Sequence, residues 1–218
     1  LVVRAVMNTH RDSTFAQLKW AEEKLGVAHL FKNNVSPLEI TYLPTGQKIL
    51  FRGFDDVLKL ASTTVDKGYL NFVWVEEAYE IDSLEDFEKL DLSVPRGQLP
   101  PHLFKQTTIT FNPCNEKHWL KKRFFDTPCD DTDTFSTNYL INEFLDDTDK
   151  EVFRQLSIQH PRRYAVAGLG EWGITEGLIY ENWKVGSVDT TKGNWQAYFG
   201  LDYGYTTDPT AFIALMVN

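Results

Sequence analysis

The sequence is short of most features that assign a protein class at once. Two cysteines, Cys114 and Cys129, in 218 residues do not make a disulfide scaffold, so a reducing, intracellular compartment is the expectation. No apolar run approaches the roughly 18 residues that a membrane-spanning helix needs. Basic residues are outnumbered, 22 Lys and Arg against 31 Asp and Glu, and a formal charge of −9 argues against a generally adhesive nucleic-acid binder. A protein that handles DNA through one local basic face is compatible with that charge. No repeat, low-complexity tract, initiator Met or secretory leader is evident. What is there is an ordinary globular composition, 42% apolar and 14% aromatic, and a packed core is expected from it.

The two ends read alike. Leu1 to Met7 is an apolar strand that begins at the first position, and Ala211 to Val217 is another that runs almost to the last. Strands interrupted in mid-pattern point to missing partners, so an internal piece of a longer protein is expected. Between the ends, strands and helices alternate. Thr14 to Leu25 places Phe15, Leu18, Ala21 and Leu25 near helical spacing, with Asp12 and Ser13 as caps. Ile40–Leu43 and Lys48–Gly53 flank Pro44–Gln47 as a hairpin with a four-residue loop, and Asp55 to Ala61 is expected as a short helix. Leu70 to Val75 is nearly continuous in apolar residues, the type buried on both faces of a parallel sheet. Ser83 to Leu90 is amphipathic, Gln106 to Phe111 is a further strand stopped by Asn112-Pro113, and Asp126 to Thr134 is an acidic surface loop. Asp149 to Ile158 has helical spacing and is expected to close at Pro161. Gly168 to Gly173 reads as a hinge, the polar stretch Gly186 to Asn194 as a domain boundary, and Trp195 to Asp202 as a new strand. This order is that of an α/β sheet domain.

Three constellations carry chemistry. In the first, Phe72-Val73-Trp74-Val75 runs into Glu76-Glu77. Nucleotide-hydrolysing α/β folds end an apolar strand in two acids because one holds Mg²⁺ through water while the other orients or deprotonates the attacking water. Glu76 takes the first role in this reading and Glu77 the second. Two solvated carboxylates capping the next helix fit the same residues. A phosphate-cradling G-x-x-x-x-G-K-[ST] loop is absent from the sequence. In the second, Thr108 to Pro113 with Asn115, His118 and Trp119 ends a strand in hydroxyl and amide side chains suited to sensing a γ-phosphate. An ordinary strand closed by an Asn-Pro turn also fits. Cys114 and His118 do not complete a zinc site. In the third, Asp202 in Gly200-Leu201-Asp202-Tyr203-Gly204, followed by Asp208, has the pattern with which ribonuclease-H-like nucleases begin a two-metal site. A hairpin whose Asp residues make turns is the alternative. The basic cluster Lys117, Lys121, Lys122 and Arg123 is expected as a solvated helix face that could also meet nucleic-acid phosphates. Arg4, Arg11 and Arg52 are unranked candidates for charge stabilisation at a nucleotide site.

Arg11-Asp12-Ser13, Phe51 to Asp56, Trp74 to Ala78, Thr110 to Pro113 with His118-Trp119, Gly170 to Gly173 and Leu201 to Gly204, in that order, closely resemble the large terminase subunit of tailed bacteriophages and prophages. The resemblance spans essentially the whole chain. It implies a partial RecA-like ATPase domain lacking its P-loop (1–165), a linker subdomain (166–194) and the first strands of a ribonuclease-H-like nuclease (195–218). It further implies Glu76 as the Walker B acid, Glu77 as the catalytic glutamate, and Thr110 and Asn112 as the element coupling hydrolysis to DNA movement. Asp202 and Asp208 become nuclease metal carboxylates. ATP, Mg²⁺ (or Mn²⁺ at the nuclease), double-stranded DNA, a portal protein, a small terminase subunit and a homo-oligomeric ring in the bacterial host cytoplasm follow from the same resemblance, with no membrane. The chain by itself is then expected to be inactive. A helicase-like ATPase and a non-enzymatic adaptor or scaffold are the competing readings.

Overall fold

The computed structural model describes residues 1–56, 60, 63–65, 67–95, 97–127, 129–173, 191–203 and 211–217. Their packing divides into two units, Leu1–Gly177 and Leu178–Asn218. The first unit is built on a six-stranded mixed sheet with the spatial order β2-β3-β4-β1-β5-β6. Its strands are β1 (Val2–Arg4), β2 (Phe31–Val35), β3 (Leu38–Tyr42), β4 (Gln47–Gly53), β5 (Phe72–Glu76) and β6 (Gln106–Thr110). Strands β4, β1, β5 and β6 are parallel neighbours, while β2 and β3 add antiparallel pairs at one edge. The expected α/β class is the observed one.

Alternation along the central strands divides the core in two. Val3, Val73 and Val75 face one side, where Phe87 and Leu90 of helix α2 (Leu84–Ser93) cover them. Val2, Phe51 and Ile40 face the other, where Phe15 of helix α1 (Thr14–Lys24) covers them. On β5 the expected burial on both faces is met only in part: Val73 and Val75 are buried, while on the other face Trp74 is half-buried and Phe72 is 49% exposed. Helix α2 starts where Ser83 Oγ accepts the Asp86 amide at 3.1 Å, a side-chain N-cap. The hairpin closes at the pair Tyr42 and Gln47, which leaves a loop of the expected four residues placed one position earlier, at 43–46, because Gln47 already pairs in the strand.

Several expectations are corrected. Strand β1 ends at Arg4 rather than Met7, because the chain then turns through a 3₁₀ segment, Met7–His10, pinned by the Thr9 amide on Val6 O at 3.2 Å. Ser13 precedes α1 but does not cap it: its hydroxyl donates back to Thr9 O at 2.7 Å. Leu25 is exposed at the end of α1, whereas Glu22 is buried and accepts from Asn33 Nδ2 at 2.8 Å. Helix α3 spans Asp147–Gln159 and opens with a capping box between Asp146 and Asp149. Pro161 does more than close it, since it stands at the first turn of a further helix, α4 (Pro161–Ala167), where a missing N–H costs nothing. The Asp55 to Ala61 helix is described only at its 3₁₀ start, Phe54–Asp56, and at Leu60.

The presumed hinge is fastened to the first unit. Gly173 N donates to Pro113 O at 2.9 Å, Glu116 N donates to Gly173 O at 2.8 Å, and Trp172 packs on Phe111 and Phe125. Residues 174–190, including most of the proposed linker and part of the polar stretch, lie outside the described residues. In the second unit β7 (Gln196–Asp202) and β8 (Ala211–Val217) pair antiparallel over seven residues, from Gln196 with Val217 to Asp202 with Ala211.

Candidate active site

Parallel strands bring their carboxyl ends to one edge of a sheet, and in open α/β sheets that edge is where ligands bind. Here Arg4 ends β1, Glu76 ends β5 and Thr110 ends β6, with Glu76 and Thr110 directly paired in register. Residues more than 30 positions apart in sequence are thereby gathered in one place. The Arg4 Nε lies 2.7 Å from Glu76 Oε2, and both side chains are largely withdrawn from water, 14% and 19% exposed. Arg4 also donates through a terminal guanidinium nitrogen to Ser13 Oγ at 2.8 Å. Trp74 Nε1 donates to Thr110 Oγ1 at 2.9 Å and so ties the two strand ends through their side chains.

Glu77 is held in an unusual conformation. Its φ of 54° and ψ of 47° place it in the left-handed region, the only non-glycine residue with positive φ among the described residues. That region costs an L-residue with a Cβ about 1–2 kcal/mol, and such strain collects at functional sites. The Oε2 of Glu77 is buried with no hydrogen-bond partner. Burial pushes its carboxyl above the usual carboxylate range, the neighbouring Glu76 pushes it further, and Arg4 opposes both. Glu76 is likewise raised by burial, with Arg4 pulling the other way.

The segments that follow the two strands are locked together. Trp119 Nε1 donates to Ile81 O at 2.6 Å. His118 Nδ1 accepts from the Leu120 amide at 3.3 Å, and burial lowers the ring's pKa. Asn112 is exposed just beyond β6. The basic cluster is partly spent within the chain: Lys121 pairs with Asp126 at 2.7 Å and Arg123 lies over the Phe124 ring at 5.2 Å. It sits around a π-helical turn, Lys121–Asp126, which residue spacing did not announce. In the second unit Asp202 is exposed at the end of β7, and Asp208 lies outside the described residues.

The oxygen donors at the sheet edge suit Mg²⁺, which takes one or two carboxylates and fills its other positions with waters and substrate phosphates. Glu77 Oε2 and Glu76 Oε2 are both buried carboxylate oxygens without a hydrogen-bond partner, the second in ion-pair contact with Arg4. No group of three or more His, Cys, Asp or Glu that could cage a metal occurs among the described residues. Around Asp202 they supply one carboxylate, fewer than a two-metal site needs.

A family model for the phage terminase large subunit matches residues 1–171. The chain belongs to the phage terminase large subunit family. It is 34% identical over 226 residues to the large terminase subunit of Bacillus phage SPP1, a match covering 98% of this chain and 52% of that protein. The PBSX phage terminase large subunit of Bacillus subtilis (strain 168) is 26% identical over 243 residues, covering 100% of this chain and 54% of that one. The chain thus spans about half the length of these curated relatives. In fold it is similar to the solved large terminase of a thermophilic bacteriophage, with a TM-score of 0.61 and 19% identity over 98% of this chain and 50% of that one. No described helix is long and apolar enough to cross a membrane.

Of the residues singled out in sequence, the fold brings Glu76, Glu77 and Thr110 together and places Asn112 just past them. It adds two partners that sequence reasoning did not select, Arg4 among three unranked arginines and Ser13 as a supposed cap. A chain-local reading ranks neither, because Arg4 meets Glu76 from 72 residues away and Ser13 matters only through Arg4.

Proposed function

We propose that this chain supplies the nucleotide-hydrolysing edge of a DNA-packaging motor and the opening strands of its metal-dependent endonuclease, working in the host cytoplasm. The observation that carries this reading is the pairing at one sheet edge of a strained, partnerless Glu77 carboxylate with Glu76 and Thr110. Glu77 orients the attacking water and takes its proton, a task that a raised carboxyl pKa favours. Glu76 holds Mg²⁺ through water, and the ion, when bound, neutralises the developing charge on the phosphate oxygens. Thr110, tied to Trp74, and Asn112 beside it sense the γ-phosphate and pass its loss along β6 to the segment that Trp172 covers.

ATP is the substrate, and its phosphate cradle is not among these 218 residues. Double-stranded DNA, a portal protein, a small terminase subunit and further copies of this chain in a ring are the partners. Asp202, with Asp208, contributes metal carboxylates to the nuclease. In the full-length gene product Glu77→Gln is expected to abolish ATP hydrolysis while nucleotide binding persists. Asp202→Ala is expected to remove Mg²⁺- or Mn²⁺-dependent DNA cleavage and leave hydrolysis intact. Loss of both activities together in either variant overturns the division of labour.

A further inference from the structure

We propose that Arg4 is a positioning residue for Glu76: anchored by Ser13, its guanidinium ion-pairs with Glu76 Oε2 and fixes the place of the carboxylate that would hold a metal-bound water. This rests on the reading of Glu76 as the metal-side acid. Strand β1 lies parallel beside β5 with Val3 opposite Val75, so the next residues, Arg4 and Glu76, stand side by side at the sheet edge. The guanidinium has two partners: an ion-pair contact from Nε to Glu76 Oε2 at 2.7 Å, without hydrogen-bond geometry, and a hydrogen bond from a terminal nitrogen to Ser13 Oγ at 2.8 Å. Ser13 spends its own proton on Thr9 O at 2.7 Å, which leaves its oxygen to accept from Arg4. The arrangement is a chain of fixed direction: Arg4 to Ser13 to the Thr9 carbonyl.

Only a planar fork reaches both partners, and a lysine ammonium offers one charged nitrogen in place of several fixed donors. Mg²⁺ gives up its waters reluctantly, so a carboxylate already ion-paired with an arginine is matched to binding the ion through water rather than directly. An ion pair that merely joins β1 to β5 would move metal affinity only with its charge, so Arg4→Lys and Ser13→Ala, which keep the charge, would leave it unmoved.

The test is Mn²⁺ binding to the 218-residue chain by electron paramagnetic resonance, with near-ultraviolet circular dichroism as the check on folding. Arg4→Gln removes the charge, Arg4→Lys keeps it without the fork, Ser13→Ala frees the anchor, and Glu76→Gln removes the acid. Arg4→Gln is expected to tighten Mn²⁺ binding roughly tenfold, because a positive charge close to the ion is lost. Arg4→Lys and Ser13→Ala shift it in the same direction by less, and Glu76→Gln weakens it. Wild-type Kd values in Arg4→Gln and Arg4→Lys, with Glu76→Gln weakened, overturn the role of Arg4 and leave the reading of Glu76 standing. A wild-type Kd in Arg4→Lys alone reduces the effect to charge and overturns positioning. If the Arg4 variants do not fold, an unchanged Kd in Ser13→Ala overturns the proposal. Absence of saturable binding by the wild type, or an unchanged Kd in Glu76→Gln, overturns the reading of Glu76 and the proposal with it.

Discussion

The central sheet and the β7–β8 hairpin are written in similar residues and end in opposite environments. Val2, Val3, Phe51, Val73 and Val75 are buried, whereas Phe199, Leu201, Phe212, Ile213 and Leu215 all stay exposed although their strands pair over seven residues. The difference is the number of layers. Strands β1 and β5 are flanked by parallel neighbours, with β1 covered on both faces and β5 fully on one, while β7 and β8 have only each other among the described residues. Backbone pairing removes no side chain from water unless something lies above the sheet, and a lone two-stranded hairpin is marginal in water.

The largest expected effects test that contrast directly. Phe51 is fully buried and makes edge contacts with Phe15 and His10, so Phe51→Ala is expected to cost about 3–5 kcal/mol in denaturant unfolding. Phe199→Ala, with the same atoms removed from an exposed ring, is expected to change stability by no more than about 0.5 kcal/mol. Equal losses would remove the distinction. Next comes Gly53→Ala at the end of β4, where the added Cβ meets the Asp55 carboxylate and the Met7 amide. About 1–3 kcal/mol of destabilisation is expected, read as a lower denaturant midpoint.

A pH series sharpens the comparison within the sheet. His10 is fully buried, and its Nε2 faces the Arg52 carbonyl at 2.7 Å, which can only accept. The proton therefore sits on Nε2, and Nδ1 accepts from the Thr14 hydroxyl at 2.7 Å. Burial holds the folded pKa below the ordinary 6.5, so the unfolded chain binds the proton more readily. Stability is then complete above pH 6.5 and falls as pH drops from there towards the folded value. His10→Gln should flatten that slope in unfolding curves measured between pH 5 and 8, the range in which only histidine side chains ordinarily change charge. A change of opposite sign is expected from Glu77→Gly, which relieves the left-handed strain and should raise stability by about 1 kcal/mol while the carboxylate's function is lost. Unchanged stability in that variant would show that the surrounding fold, rather than residue 77, sets this conformation's cost.

Legibility from sequence followed the range of the interaction. The 40–53 hairpin, the amphipathic helix capped by Ser83 and the buried strand ending in Glu76-Glu77 were all readable, because each depends on residues within a few positions of one another. The turn at Met7 was misread as strand because its apolar side chains continue the pattern while its backbone departs from it. Pro161 was read as a stop, although the same fixed φ that ends α3 also begins α4. At the site, the acids and Thr110 were visible as strand-end residues, but the Arg4 and Ser13 partnership was not, and neither was Trp74 as the donor to Thr110.

By itself the sequence determined the alternation of strand and helix, the apolar run of β5 and the placement of two acids at that strand's end. These are consequences of local hydrophobic periodicity and turn chemistry. Only the tertiary structure decided that β1 inserts between β4 and β5, that Arg4 therefore meets Glu76, that Thr110 lies opposite that acid, and that Glu77 adopts left-handed geometry. Strand order and register are set by which apolar faces fit together across dozens of residues, and no local pattern encodes that choice.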